Sequence, residues 1–213
     1  DAFDWDMGWQ GNVQFLIAQL HHDGGDNAFE GDSHGEQFDI EPRSKPNFYN
    51  VTLIGANSKQ IAQRAILLRE GSGGNYFNFI IAGFSKEAVD FRDLGIAALT
   101  ENGILNFGNN LFFSIAEGNY FPDEDDDDAG FLEAAYFSTP EKQNRFGLDP
   151  RFPVEVYNVL TPNFTPFINS PALEQFAKIP QGEFWDEGAN YLGAIRPGVA
   201  HSWMDGWTQF PSN

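Results

Sequence analysis

One short pattern returns four times in the first half of this chain. It appears as Ala2-Phe3-Asp4-Trp5-Asp6, Ala28-Phe29-Glu30-Gly31-Asp32, Ala65-Ile66-Leu67-Leu68-Arg69 and Ala88-Val89-Asp90-Phe91-Arg92. Each copy opens on Ala and a large apolar residue and ends on a charged residue four places on. Successive starts are 26, 37 and 23 residues apart. A returning segment of this kind marks a unit that buries its apolar face against its neighbours.

A second series interleaves with the first: Asn12-Val13-Gln14-Phe15-Leu16, Asn50-Val51-Thr52-Leu53-Ile54, Asn78-Phe79-Ile80-Ile81-Ala82 and Asn110-Leu111-Phe112-Phe113-Ser114. Its closest internal match sets Asn47-Phe48-Tyr49-Asn50-Val51 against Asn75-Tyr76-Phe77-Asn78-Phe79, at an offset of 28. Both series are rich in Val, Ile, Phe and Tyr, which suit a pleated surface. Between them lie Gly24-Gly25-Asp26-Asn27, Gly71-Ser72-Gly73-Gly74-Asn75 and Glu101-Asn102-Gly103, residues that turn sharp corners at low cost. Short strands, tight corners and a returning pattern predict an all-β chain wound as a right-handed parallel β-helix. In such a solenoid Phe3, Phe29, Ile66 and Val89 form one interior ladder, and Val13, Val51, Phe79 and Leu111 another. An antiparallel sandwich also has short strands, but no reason to repeat this motif in one strand type. Helical periodicity is confined to short candidates, 59–64 and 171–177, the latter after a cap-like Ser170.

The repeat fades from Ala116 onward. The chain is therefore divided into β-helix coils over 1–116 and an acidic loop with a C-terminal capping, fold-back segment over 117–213. That second part is Pro-rich, with Pro140, Pro150, Pro153, Pro162, Pro166, Pro171 and Pro180. Proline removes ladder donors, so continuous sheet is excluded there. Trp185, Trp203 and Trp207, with Tyr191 and Phe210, fit a segment that folds back to cover the terminal coil. The pattern also begins at once, with no capping residues before it. It predicts an open N-terminal edge that meets an upstream segment of the same chain or another chain.

Charge narrows the function. Twelve Lys and Arg against 31 Asp and Glu give a net charge of −19. A nucleic-acid binder needs clustered cations, and so does docking on anionic lipid. There is no cysteine, so disulfides, thiolate metal sites and cysteine nucleophiles are absent. No apolar run reaches the length of a membrane-spanning helix.

Catalytic signatures are lacking. There is no phosphate-cradling Gly-Lys loop and no Gly-x-Ser-x-Gly; Ser72 has Glu70 where the first Gly would stand. His21 and His22 are adjacent, and on a strand they would face opposite sides. Carboxylates carry the strongest remaining signal. Asp4 and Glu30 fall at one position of successive coils, and so do Asp6 and Asp32. Carboxylates stacked about 5 Å apart repel each other. Solvent, a cation further up the same column (Arg69 or Arg92), or Ca²⁺ would offset this. Calcium takes several oxygens in flexible geometry. The candidate metal-binding residues are thus Asp4, Asp6, Glu30 and Asp32, with Asp123, Asp125 and Asp127 of the acidic run. Asp90, Asp93 and Arg92 could be assembled into a lyase-like set, though no spacing singles it out. Trp5, Trp9 and Trp207 could stack on sugar rings, against the alternatives that Trp5 sits in the ladder and Trp207 anchors the tail. Asn50-Val51-Thr52 and Asn163-Phe164-Thr165 match the glycosylation sequon.

The opening 1–11, the stretch 65–74, and the endings 190–195 and 203–208 resemble secreted right-handed β-helix surface proteins and lipoproteins of Gram-negative bacteria. The resemblance implies a fold and an extracellular or outer-membrane location, and no established reaction. The function expected is non-catalytic: a structural or adhesive element able to assemble as a homo-oligomer, a filament or a larger surface complex. The alternatives are a polysaccharide lyase or hydrolase, and a glycan-capturing module serving an outer-membrane transporter.

Overall fold

The computed structural model describes residues 1–122 and 127–210. All strand pairings among them are parallel, and the chain passes back and forth between two sheets. The first sheet is built from β1 (Phe3–Trp5), β3 (Asn27–Gly31), β5 (Arg64–Arg69) and β8 (Val89–Arg92), in that spatial order. The second contains β2 (Asn12–Gln19), β4 (Asn47–Ile54), β6 (Gly74–Phe77), β7 (Ile80–Ala82), β9 (Leu105–Gly108), β10 (Leu111–Phe113) and β11 (Arg145–Phe146). Here β4 pairs with β2 on one side and with both β6 and β7 on the other. No described helix is long and apolar enough to cross a membrane.

The first ladder is observed residue for residue. Phe3 lies opposite Phe29, Phe29 opposite Ile66, and Ile66 opposite Val89. Unequal loops absorb the irregular spacing of the motif, while the strands keep their register. The second ladder differs from expectation. Val13 faces Phe48, Val51 faces Leu16, and Leu111 faces Ile80. Asn47 and Asn50 lie three residues apart in β4, and Asn12 aligns with the former. The 28-residue match is correct: Asn47, Phe48 and Tyr49 pair with Asn75, Tyr76 and Phe77.

Two asparagine columns follow from this register. Asn12, Asn47, Asn75 and Asn106 stand in line. Each amide donates to the one before it: Asn47 to Asn12 (2.8 Å), Asn75 to Asn47 (2.6 Å) and Asn106 to Asn75 (3.0 Å). Replacing Asn75 by Ala breaks two of these bonds. The expected cost is about 1–2 kcal/mol in denaturant unfolding; an unchanged midpoint would show that the ladder adds nothing. The other column is conformational. Asn50, Asn78 and Asn109 have φ of 54°, 62° and 53°, the left-handed region that Asn enters cheaply.

The interior is aromatic. Tyr76 stacks between Phe48 (5.6 Å) and Phe107 (4.4 Å), at distances set by strand spacing. Helix α1 (Ile96–Glu101) joins β8 to β9 and buries Ile96 and Leu99. Helix α2 (Glu133–Ser138) buries Phe137 against Phe91, Phe107 and Phe121. Both are six residues long, too short to show a helical period in the sequence. The 59–64 candidate is turn and strand, because Arg64 opens β5. At 171–173 a single 3₁₀ turn forms, and the Ser170 hydroxyl accepts from the Ala172 N–H (3.1 Å) as its cap.

The tail folds back along the flank of the second sheet. Asn50 donates to the carbonyl of Tyr191 (2.6 Å), and Asn78 exchanges bonds with the backbone of Ala177. Thr52 Oγ1 accepts from the Ala194 N–H (2.9 Å), and Gln14 bonds Asp186 through both amide atoms. The left-handed Asn residues therefore turn the strand and grip the tail at once. The packing against β8–β10 comes instead from Phe121, Phe131 and α2.

A charged face on the first sheet

Side chains alternate across a strand, so the residues between the interior Phe, Ile and Val positions of the first sheet point outward. Asp4 stands beside Glu30 in register, Glu30 beside the buried Leu67, and Leu67 beside Asp90. Two positions further along, Arg69 stands beside Arg92. Like charges adjoin in both columns, and diagonal pairing resolves the conflict.

Arg69 reaches back to the preceding strand. Its Nη2 donates to Asp32 Oδ2 (2.7 Å) and to Glu30, and its Nε donates to Asp32 Oδ1 (3.0 Å). This fork-on-fork bond to Asp32 is the main reason the Arg69 guanidinium is held above its ordinary pKa. Arg92 pairs with Asp90 (2.9 Å) and Asp127 (3.5 Å). Burial pulls the Arg92 guanidinium down, but Asp90, Asp127 and Glu87 together carry it above its usual value. Deeper in, Arg64 Nε contacts Glu87 Oε1 (2.5 Å) and Asp90 Oδ2 (3.0 Å), with only 7% of the Arg64 side chain and 5% of Glu87 exposed. Arg64 also donates to Asn27 Oδ1 (3.1 Å).

The column that changes sign halfway is thus an ion-pair network in which Glu30 and Asp32 are held by Arg69. Asp4 and Asp6 lie exposed at its outer end, and Asp127 lies against Arg92 at the other. Asp123 and Asp125 lie outside the described residues. Asp93 does not join Arg92 and Asp90: its carboxylate accepts from the N–H groups of Gly71 and Gly95, both at 2.7 Å.

Nothing in the order of residues singles out Glu133. Burial pushes its carboxyl up to about 8, opposed by a backbone hydrogen bond and reinforced by repulsion from and hydrogen bonding with Asp128, and by Asp90. Asp128 is itself buried and accepts from the N–H groups of Gly130 (2.8 Å) and Phe131 (3.2 Å). In the unfolded chain a Glu titrates near ~4.3. Between that pH and 8 the folded protein binds the extra proton, so stability is full below the lower value and is lost as pH rises through the upper one. Side-chain exposure tempers the effect to on the order of 2 kcal/mol. Glu133→Gln is expected to flatten the profile of stability between pH 5 and 9. A parent protein equally stable at both ends of that range would refute the assignment.

His21 and His22 occupy a turn, so the strand argument that separates them fails; their ring centroids are 4.0 Å apart. His201, Ser202 and Asp205 adjoin, but the Ser202 hydroxyl donates to Asp205 (3.1 Å) rather than to the imidazole, so no nucleophile is activated. Trp5 is buried in β1 in register with Gly31, two positions beyond Phe3, whereas Trp207 is 68% exposed and stacks on Trp203. Asn50 of the first sequon is fully buried, so it is closed to modification in the folded state.

A family model described as a pectate-lyase like beta helix domain matches residues 1–144. The chain belongs to that family. No curated protein and no solved structure matches the chain. The matched span of this β-helix domain includes every strand of the charged face, together with Glu133 and Asp128.

Proposed function

We propose that this β-helix domain is non-catalytic, a right-handed solenoid serving as a rigid structural or adhesive element of a secreted or cell-surface protein. One observation carries the reading. The arginines on the charged face are each held by two carboxylates, and those carboxylates keep Arg69 and Arg92 cationic. A β-elimination of uronate needs a group that takes up a proton, and a guanidinium fixed in its charged form is a poor base. The surrounding negative charge also repels an anionic glycan. Incubation with pectate, alginate and sulfated glycans, with and without Ca²⁺, is expected to release no unsaturated or reducing ends. New ends that disappear in Arg92→Ala would overturn the proposal.

The resemblance to surface lipoproteins supports the extracellular or outer-membrane location. Edge strands support assembly: β1 pairs with β3 and β2 with β4, and the opposite edge of each has no strand partner among the described residues. A preceding coil or a second chain would pair there. Calcium bridging through Asp4 and Asp6 belongs to the same reading.

A polysaccharide-acting enzyme is the second reading, favoured by the family's description and by the protonated Glu133 beside Asp128. Yet the two carboxyls share a hydrogen bond, whereas glycosidase pairs stand about 5 Å or more apart. The same glycan incubation separates the readings.

A further inference from the structure

The turn between β2 and β3 carries Leu20-His21-His22-Asp23-Gly24-Gly25. Leu20 is buried, and Gly25 takes a φ of 80° that closes the turn. Beyond Leu20 the chain leaves the strand, so successive side chains no longer alternate between faces. His21 and His22 therefore stand together, and both reach the same carboxylate. His22 Nε2 lies 3.2 Å from one oxygen of Asp23, and His21 Nδ1 lies 3.7 Å from the other. One donor atom from each of the three residues falls within 4.8 Å of the others.

The backbone beneath these groups is fixed from outside the turn. Gln63, 1% exposed, donates its amide to the carbonyls of His21 (2.8 Å), Gly24 (3.4 Å) and Gly25 (3.2 Å). Its own Oε1 accepts from the Ala56 N–H (2.8 Å). One buried side chain thus holds both ends of the segment that presents the imidazoles. The entropy of ordering the turn is lost on folding, before any ligand arrives.

We propose that His21, His22 and Asp23 bind one divalent transition-metal ion of the zinc class. Two imidazoles and a carboxylate form a borderline nitrogen–oxygen set that suits Zn²⁺, Ni²⁺ or Cu²⁺; Ca²⁺ and Mg²⁺ take oxygen ligands. Neutral imidazole is the ligating form, and His21 Nδ1 accepts from the Asp23 N–H (3.1 Å). Metal binding replaces that bond or turns the His21 ring, whose side chain is 37% exposed. Three protein ligands leave positions for water or for a donor from another molecule. The site is independent of the charged face and does not rest on the proposed non-catalytic role.

The test is calorimetric titration of the whole chain with ZnCl₂ alone at pH 7.5, with CaCl₂ as the comparison. One zinc per chain at micromolar affinity is expected, and His21→Ala and His22→Ala should each weaken it by about tenfold or more. Because the chain holds 31 acidic residues, loose zinc uptake by carboxylates is distinguished by its indifference to the histidine variants. Histidine ring signals in NMR provide a second readout: zinc should move those of His21 and His22 and leave His34 and His201 in place. Absence of binding, binding unchanged in both variants, or equal shifts at all four histidines would each overturn the proposal. The variants lie on an exposed turn, and an unaltered metal-free melting curve confirms that they fold.

Discussion

Replacing Arg64 by Met is expected to destabilise the domain by about 3–5 kcal/mol, the range for breaking a buried ion pair from one side. Arg64 Nε meets both Glu87 and Asp90, and the Arg64 and Glu87 side chains are almost wholly enclosed. Met keeps the volume and removes the charge, so the enclosed Glu87 loses its Arg64 partner in a low dielectric while Asp90 retains Arg92 (2.9 Å). The Glu87 carboxyl then favours its protonated form, and the variant should regain stability as pH falls. Neutralising the partners in Arg64→Met/Glu87→Gln/Asp90→Asn should recover most of the loss. Arg69→Ala is the comparison, since Arg69 is 34% exposed and water can take over its partners; there the cost should be smaller. Urea unfolding measures all of these, and a loss below about 1 kcal/mol for Arg64→Met would show that the network is not a structural element.

Truncating Phe48 to Ala is expected to cost about 3–5 kcal/mol. Phe48 is fully buried, and its ring meets Trp5 (5.2 Å), Phe29 (4.9 Å) and Tyr76 (5.6 Å). It joins the two sheets: Phe29 and Trp5 belong to the first, Tyr76 to the second. Tyr76 is stacked on Phe48 at strand spacing, and Trp5 and Phe29 are tilted against it from the other sheet, each held by its own strand, so the rings do not collapse into the space and a cavity remains. For a chain of this size the thermal midpoint should fall by roughly 10 °C. Phe38→Ala, at a residue that is 38% exposed, should change it little. Equal effects at the two positions would contradict the core described here.

Legibility in the sequence varied with the range of the interaction. The Phe3, Phe29, Ile66, Val89 ladder was readable because each motif carries its own Ala and charged markers, and register in a parallel sheet repeats residue for residue. The 28-residue match was readable for the same reason. Val13 was misplaced because β4 carries two asparagines, and the sequence alone does not say which of them Asn12 meets. The stacking of Asp4 on Glu30 was foreseen; the diagonal grip of Arg69 on Glu30 and Asp32 was one of several readings left open.

What the sequence settled by itself was the parallel stacking of the first sheet, since a pattern of side-chain sizes recurring strand by strand is local information. What the tertiary structure decided was chemistry. Burial first, and then Asp128 and Asp90, distant or unremarkable in sequence, push the Glu133 carboxyl up. His21 and His22 face the same way because the strand ends at Gln19, and Gln63, 42 positions from His21, holds the turn. Charge energies depend on separation and on exclusion of water, and neither is written in the order of residues.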